Sequence, residues 1–349
     1  MKRFSILIAA LCLCLTGCGK QTTEATAQIF AMDTVMEVAA YGEHAEQAVK
    51  YTEKRIEELE NRLSRTKADS LVSGLNRDGS IRHLTYDYWN LIARAKEYRD
   101  ATNGAFDITI APIMDAWGFT GDQFRVPEQS ELNELLKHVN SDEIQVQEEP
   151  SYSVTLGEGQ AIDLGGIAKG YTSDWVEQTF RANGIESGKI SLGGNVFVLG
   201  TKPDGSDWRV GIKDPRNESG LAAILSLRDA YAITSGGYER YFEENGKTYH
   251  HIIDPSTGYP ADSGLLSVTV VAADNGPDWA GAGNGAMCDA FSTALFIMGE
   301  EQALDFWRNG GYDFDLVLVT EDGRVVITAG LADRLEEVKD SGYTYETVS

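Results

Sequence analysis

Short segments of alternating or β-branched residues recur through the chain, and they restrict its fold more than any other feature. Such segments are typical of strands. Asn245-Gly246 and Asp322-Gly323 lie between such segments and have the composition of two-residue hairpin turns. Because hairpins join antiparallel strands, the sequence predicts a largely antiparallel sheet. The predicted strands cover residues 30–38, 153–156, 161–164, 189–192, 208–213, 223–227, 265–272 and 315–319.

Segments with apolar residues at helical spacing are mixed with these strands. Asn103-Gly104 is a typical helix end, and Pro127 is a typical helix start. No linker is evident after residue 30, which favours one catalytic domain over residues 30–349. The expected fold class is α+β, a single domain with a largely antiparallel sheet and packed helices. The predicted helices cover residues 44–65, 87–102, 128–140, 167–182 and 288–298.

The first eighteen residues resemble an export signal. Lys2 and Arg3 precede a nearly continuous apolar run over residues 4–15, which is too short for a permanent membrane span. The run ends in Leu-Thr-Gly-Cys18, so the segment is either a lipoprotein signal or an ordinary signal with a chance cysteine. We expect a lipoprotein signal over residues 1–18, a palmitate-type anchor on Cys18 and a flexible tether over residues 19–29. This places the protein on the extracytoplasmic face of a membrane.

Cysteine content and charge exclude several classes of protein. Cys288 is the only cysteine after the leader, so neither an internal disulfide nor a cysteine-rich zinc site is available. The formal net charge of −24 repels nucleic acid, so no nucleic-acid partner is expected. An anionic ligand would need locally positive groups to bind it, such as a metal ion or backbone N–H groups.

A glycine turn over residues 163–170 stands between a predicted strand and a predicted helix. Glycines beside a helix N-terminus are typical of phosphate-binding sites, because free N–H groups point outward there. The spacing lacks the lysine of a Walker A loop, since Tyr171 follows Gly170. Two interpretations remain open: a phosphate site, or a plain strand–helix turn capped by Asp163.

Three further segments place glycine or polar residues where a core would prefer apolar ones. Residues 191–195 contain a glycine pair, which indicates either a close ligand approach or a bulge, and residues 232–240 indicate a hydroxyl-rich pocket wall or a hairpin. In a strand, His250 and His251 point to opposite faces, so at most one faces a given site. That histidine is either a general acid or base, or a surface residue beside a turn.

The segment 289–294 carries a carboxylate and a hydroxyl four residues apart. On a helix, Asp289 and Thr293 share one face. Oxygen ligands of this kind suit Mg²⁺, which keeps several waters and binds substrate phosphates. The alternative is helix capping by Asp289, with Thr293 merely packed.

Taken together and in order, these segments resemble the ApbE family of FAD:protein FMN transferases, from about residue 30 to residue 335. The resemblance implies that the backbone oxygen of Gly166 and the side chains of Asp289 and Thr293 hold Mg²⁺. It also implies that His251 transfers a proton and that FAD is the substrate. The motifs are residues 32–34, 106–109 with 117–119, 163–170, 193–195, 234–236, 251–255 and 289–293. The implied FAD-binding residues are Met32, Ala105, Phe106, Asp107, Asp163, Lys169 and Ile253.

The resemblance implies a reaction in which a Thr or Ser hydroxyl of an acceptor protein takes FMN from FAD and AMP leaves. The implied acceptors are exported flavoproteins of membrane redox complexes. Two alternatives stay open: a Mg²⁺-dependent FAD pyrophosphatase, and a lipoprotein that binds flavin without catalysis. The chain departs from the family pattern at residues 274–286, a glycine-rich insertion, and at Ser292, where some relatives carry a carboxylate.

Overall fold

The computed structural model describes residues 23–121, 123–274 and 283–349. The expected lipoprotein leader, Cys18 and most of the insertion at 274–286 lie outside these residues. The strands within them are β1 Glu24–Ala31, β2 Thr34–Tyr41, β3 Ser80–Arg82, β4 Gln145–Gln147, β5 Ser153–Thr155, β6 Ser187–Leu192, β7 Asn195–Leu199, β8 Trp208–Lys213, β9 Leu221–Leu227, β10 Ala230–Gly236, β11 Tyr241–Glu244, β12 Lys247–His250, β13 Leu265–Ala273, β14 Asp315–Thr320, β15 Arg324–Thr328, β16 Leu335–Glu337 and β17 Thr344–Val348. The helices are α1 Ala45–Leu63, α2 Leu71–Asp78, α3 Tyr86–Ala101, α4 Ala111–Trp117, α5 Gln129–Leu135, α6 Ala168–Ala182 and α7 Asn284–Asn309.

A nine-stranded sheet forms the centre of the fold, with the order β1-β2-β6-β7-β10-β13-β14-β15-β17. Its pairs are antiparallel except for β15 and β17 at one end. Two small three-stranded sheets, β16-β9-β8 and β3-β5-β4, and the hairpin β11-β12 are attached to it. The expected α+β class with a largely antiparallel sheet is confirmed.

The two faces of the central sheet bury two different cores, because successive residues of a strand point to opposite faces. On β14, Leu316 and Leu318 belong to the larger core beneath the helices. Val317 and Val319 belong to the second core, which is covered by the sheet β16-β9-β8. A third cluster, of aliphatic and aromatic side chains around Trp117, lies between α4, α5 and the hairpin β11-β12.

The expected tether over residues 19–29 is wrong for its described part. Residues Glu24–Ala31 form strand β1 and pair along their whole length with β2. Small apolar side chains at Ala25, Ala27 and Ile29 alternate with polar ones and pack against the larger core. This two-residue period is enough to attach a strand to the sheet, although the segment is polar overall.

Other boundaries also differ from the predictions. The predicted strand 30–38 is interrupted at Met32 and Asp33, whose φ angles of 50° and 59° form a hairpin turn. Residues 161–164 are not a strand; the Asp163 N–H instead donates to the carbonyl of the distant residue Ile108 at 2.7 Å. The predicted helix 128–140 ends at Leu135 and continues as a short 3₁₀ turn to His138.

Helix α7 is longer than predicted and bends at Gly299, whose φ of 79° is not helical. No helix within the described ranges is both long enough and apolar enough to span a membrane.

Candidate functional site

The sequence motifs converge on one cleft of about 560 Å³. Its walls come from the β1–β2 turn, the segment 105–110, the N-terminal parts of α6 and α7, the end of β10 and the chain that follows β12. All the predicted site residues that the structure describes line this cleft. They are Met32, Ala105, Phe106, Asp107, Asp163, Gly166, Lys169, His251, Ile253, Asp289 and Thr293.

Asp289 lies in the second turn of α7 and is only 2% exposed. Its two carboxylate oxygens accept hydrogen bonds from the Gly170 N–H at 2.8 Å and from Asn195 Nδ2 at 2.9 Å. Asn195 is buried and follows the glycine turn between β6 and β7. The 193–195 motif therefore fixes the orientation of the Asp289 carboxylate.

Two glycines allow α6 and α7 to approach closely beside Asp289. A Cβ atom on Gly170 would lie 2.1 Å from the Gly285 carbonyl oxygen and 2.6 Å from the Asp289 Cβ. A Cβ atom on Gly285 would lie 2.4 Å from the Gly170 carbonyl oxygen. Real Cβ atoms do not come this close to other atoms, so both positions require glycine.

Asp174 of α6 binds the start of α7. Its carboxylate accepts the N–H groups of Gly283 at 2.9 Å, Gly285 at 2.7 Å and Ala286 at 3.0 Å. Burial raises the pKa of Asp174 to about 7, and these N–H groups act in the opposite direction. The first turn of α7 is thus capped from a neighbouring helix, which fixes the position of Asp289 three residues later.

Thr293 lies one turn after Asp289 among other hydroxyl groups. Its Oγ1 is 3.1 Å from Ser235 Oγ, and Ser235 Oγ is 2.8 Å from Ser292 Oγ. A Cβ placed on Gly166 would lie 3.6 Å from Thr293 Oγ1, so the start of α6 adjoins Thr293. The 234–236 segment, which is part of β10 and not a hairpin, supplies this hydroxyl-rich wall.

The oxygens around Asp289 and Thr293 fit a hard cation. No group of three or more His, Cys, Asp or Glu side chains within the described residues could hold a metal ion. A metal here would therefore rely on one carboxylate, a hydroxyl, the Gly166 carbonyl and ligands from water or substrate, which is the donor set that Mg²⁺ accepts. Among the described residues, the buried Asn195 Oδ1 beside Asp289 has no hydrogen-bond partner.

Asp107 and Asp163 both lie at the cleft and are both held by protein groups. Asp107 Oδ1 accepts the Thr109 N–H at 2.8 Å, and its Oδ2 accepts the Ser141 N–H at 3.0 Å. Asp163 Oδ1 accepts the Gly165 N–H at 2.7 Å, which is a local turn contact. Asp163 Oδ2 lies 3.3 Å from Arg65 Nη1.

His251 faces the cleft from the segment after β12, while the neighbouring His250 bonds to the Ala261 carbonyl at 3.0 Å. His251 Nδ1 lies 3.1 Å from the Arg240 carbonyl oxygen, which can only accept. This contact places the proton on Nδ1 and leaves Nε2 as an acceptor. Removal from water, and then the positive charge of Lys169, lower the pKa of His251 to about 3, so the ring is neutral at pH 7.

Six acidic and four basic side chains line the cleft, so its own charge is negative. Three of the bases form ion pairs: Arg65 with Asp163 at 3.3 Å, Lys67 with Glu60 at 3.1 Å and Arg240 with Asp33 at 3.1 Å. Lys169 is the one lining base without an ion-pair partner in the part of the chain that the structure describes. The acids are Asp33, Glu60, Asp107, Asp163, Glu239 and Asp289.

The sequence interpretation assigned no role to Arg65, Asn195, Glu239 or Arg240, although all four contribute to the site or its lining. Asn195, Glu239 and Arg240 lie in segments that were singled out for their glycines and hydroxyls. Arg65 follows α1 and has no motif around it, so only the fold brings it to the cleft.

The fold and this cleft define an α+β protein with an oxygen-lined site large enough for an extended ligand. The sequence profile of the ApbE family matches residues 32–316. A protein of Klebsiella pneumoniae named FAD:protein FMN transferase is 33% identical over 294 residues, which cover 82% of this chain and 86% of the relative. A protein of the same name from Treponema pallidum is 31% identical over 307 residues, covering 83% and 82%.

The crystal structure of the ApbE protein from Thermotoga maritima has a TM-score of 0.78 and 30% identity, and covers 91% of this chain and 97% of that one. The chain belongs to the ApbE family, and the resemblance inferred from its motifs is confirmed.

Proposed function

We propose that this protein catalyses the Mg²⁺-dependent transfer of FMN from FAD to a Thr or Ser hydroxyl of an acceptor protein, with release of AMP. The observation that carries the proposal is the meeting of Gly166, Asp289, Thr293 and His251 at one cleft. The named relatives support the flavin transfer, since they are FAD:protein FMN transferases that match most of this chain.

Gly166, Asp289 and Thr293 would hold the metal ion through oxygen atoms. Bound there, Mg²⁺ would neutralise charge on the FAD diphosphate and on the leaving AMP. The hydrogen bonds from Gly170 and Asn195 keep the Asp289 carboxylate in place, so little reorganisation is needed when the ion binds. Lys169, which lacks an ion-pair partner among the described residues, would contact the diphosphate from the same wall.

His251 would accept the proton of the acceptor hydroxyl. Its Nδ1–H donates to the Arg240 carbonyl, so Nε2 is the atom that receives the proton. The hydroxyl oxygen forms a bond to the FMN-side phosphorus, and the bond from that phosphorus to the AMP oxygen breaks. FMN then remains on the acceptor through a phosphoester bond, and AMP carries away the displaced oxygen.

We further propose that Cys18 is lipidated and that the acceptors are exported flavoproteins of membrane redox complexes. Only the leader sequence and the family support this part. Metabolic labelling with a fatty acid tests it: labelling that persists in a Cys18→Ser chain would contradict the assignment.

The direct test incubates the protein with FAD, Mg²⁺ and a flavin-free domain of an exported flavoprotein with accessible Thr and Ser hydroxyls. An acceptor mass increased by one FMN is the expected result. Asp289→Ala should abolish the transfer at low Mg²⁺, whereas the control Asp305→Ala, on an exposed position of the same helix, should leave it unchanged. Release of FMN without acceptor labelling would indicate a pyrophosphatase, and FAD binding without turnover would indicate a flavin carrier.

A further inference from the structure

The outer edge of β1 is open within the described residues. β1 is the terminal strand of the central sheet and pairs only with β2. Residues 31 and 34 are the hydrogen-bonded pair that closes the two-residue turn, and at the other end of the hairpin the Gly42 N–H donates to the Thr23 carbonyl. Both pairs involve an odd-numbered residue on the β1 side of the hairpin, so the backbone groups of the odd-numbered β1 residues bond to β2. The alternation of an antiparallel ladder then directs the backbone N–H and C=O groups of Gln28 and Phe30 away from the sheet.

A groove of about 760 Å³ follows this open edge. Four consecutive β1 residues, 28–31, line it, which means that the strand edge and not one face borders the groove. Exposed residues of α1 form the opposite wall, including Tyr51, which is 49% exposed. Phe30 is 74% exposed, the highest value among the large apolar side chains that the structure describes.

The groove is continuous with the catalytic cleft. Glu60 and Lys67 line both, and their side chains form an ion pair at 3.1 Å where the two meet. Met32 and Asp33, which follow the last β1 residue Ala31, line the cleft itself. A chain lying along β1 is therefore led to the reacting groups.

The charges of the groove are balanced, unlike those of the chain as a whole. Lys50, Lys54 and Lys67 line the groove together with Glu53, Glu57 and Glu60, most of them on α1. In a protein of net charge −24, such a strip repels an acidic partner less than the remaining surface does. Open backbone groups beside exposed apolar side chains are the features that bind an extended polypeptide as an added strand.

We propose that this groove docks the acceptor protein, which adds an extended segment to the outer edge of β1 and packs side chains on Phe30 and Tyr51. The inference rests on the proposed function, because flavin transfer to a protein requires a polypeptide at the mouth of the cleft. A second copy of this chain is the less suitable occupant, since it would cover the entrance that the acceptor must use.

Gln28→Pro tests the proposal, because proline removes an outward N–H without removing a β1–β2 bond. Gln28→Ala removes the same side chain and keeps the N–H, and Thr26→Pro removes an outward N–H beyond the groove. Phe30→Ser tests the apolar contact, with Leu221→Ser on β9 as its control. The measurement is the Kd between the mature protein and the same flavin-free acceptor domain as in the transfer assay.

Gln28→Pro and Phe30→Ser should each raise this Kd by about tenfold, while the three controls and the affinity for FAD stay unchanged. Undetectable binding of the acceptor to the wild-type protein, or equal Kd values for all variants, would overturn the proposal. So would a dimer in size-exclusion chromatography that Phe30→Ser dissociates. Acceptor labelling is measured in parallel, so that a failure of flavin transfer is separated from a failure of docking.

Discussion

The contact between α6 and α7 at Gly170 gives the sharpest test of how the site is built. Replacing Gly170 with alanine would place a Cβ atom 2.1 Å from the Gly285 carbonyl oxygen, where at least 3.0 Å is needed. The Cβ position is fixed by the backbone of α6 and the carbonyl oxygen belongs to the backbone of α7, so no side-chain rotation relieves the contact. The two helices must separate by about 0.9 Å, and the Gly170 N–H to Asp289 bond at 2.8 Å must lengthen or break.

The expected loss of stability follows from three contributions. Overpacking in a close-packed interior costs about 1–3 kcal/mol, and weakening a buried hydrogen bond to a carboxylate costs up to about 3 kcal/mol. The higher helix propensity of alanine offsets about 0.5–1 kcal/mol. We therefore expect Gly170→Ala to lower the free energy of unfolding by about 2–4 kcal/mol. A shift of Asp289 by about 1 Å should also lower kcat/KM for FAD by about a hundredfold.

Gly74→Ala is the matched control, because it makes the same change within α2. The nearest atom to its new Cβ would be the flexible end of Arg77, at 3.8 Å, so alanine should stabilise the protein by about 0.5–1 kcal/mol there. Urea unfolding and steady-state FMN transfer at several Mg²⁺ concentrations measure both effects. If Gly170→Ala matched Gly74→Ala in stability and activity, the close approach of the two helices would be wrong.

Three further predictions concern groups around the site. Asp174→Ala should destabilise the protein by roughly 3–5 kcal/mol in urea unfolding, because three N–H groups lose their acceptor. Asp174→Asn should restore only part of that loss, because both carboxylate oxygens accept N–H groups and the amide keeps one acceptor oxygen. An unchanged stability of Asp174→Ala would refute the capping role. Because the pKa of His251 is lowered, the imidazole takes up a proton below pH 6.5 in the unfolded chain but only near pH 3 in the folded chain. The free energy of unfolding, compared with that of His251→Gln, should therefore fall by about 1–2 kcal/mol between pH 6.5 and about pH 5. A constant difference across that interval would contradict this assignment. Burial raises the pKa of the Cys288 thiol. In a chain without residues 1–22, this thiol should therefore react with a thiol reagent only after unfolding. Fast labelling of the folded protein would show that the N-terminal part of α7 is accessible to solvent.

The elements with strong periodicity could be predicted from the sequence, because burial of one face imposes a repeat of apolar residues that stays recognisable when single positions deviate from it. Helix α1 was predicted within two residues at each end, and β8 was predicted at its observed bounds. Strand β1 was missed because most of its inward residues are alanines and its outward residues 24, 26 and 28 are polar, so this part of the sequence resembled a tether.

The site was predictable where the chemistry resides within one short motif. Asp289 with Thr293 and the turn at Gly166 each carry a local signal, and their convergence follows from the order of motifs in the family. The partners that hold these groups have no such signal. Asp174 lies in the middle of a helix, and Arg65 reaches Asp163 from 98 residues earlier in the chain, so only the folded structure shows their contacts.

The charges of the cleft support the proposal that a cation assists the binding of an anionic substrate. Of the four bases that line the cleft, three are paired with acids, which leaves Lys169 as the base without an ion-pair partner among the described residues, while the carboxylates of Asp289 and Glu239 also line the cleft. One lysine cannot compensate these carboxylates and a diphosphate together. A divalent ion at Asp289 would change the balance, because it would turn the most buried carboxylate of the cleft from a source of repulsion into a ligand. The glycine contact between α6 and α7, the Asp174 cap and the Asn195 hydrogen bond all act on that carboxylate, so the most conformationally restrained part of the site is the part that would bind the ion.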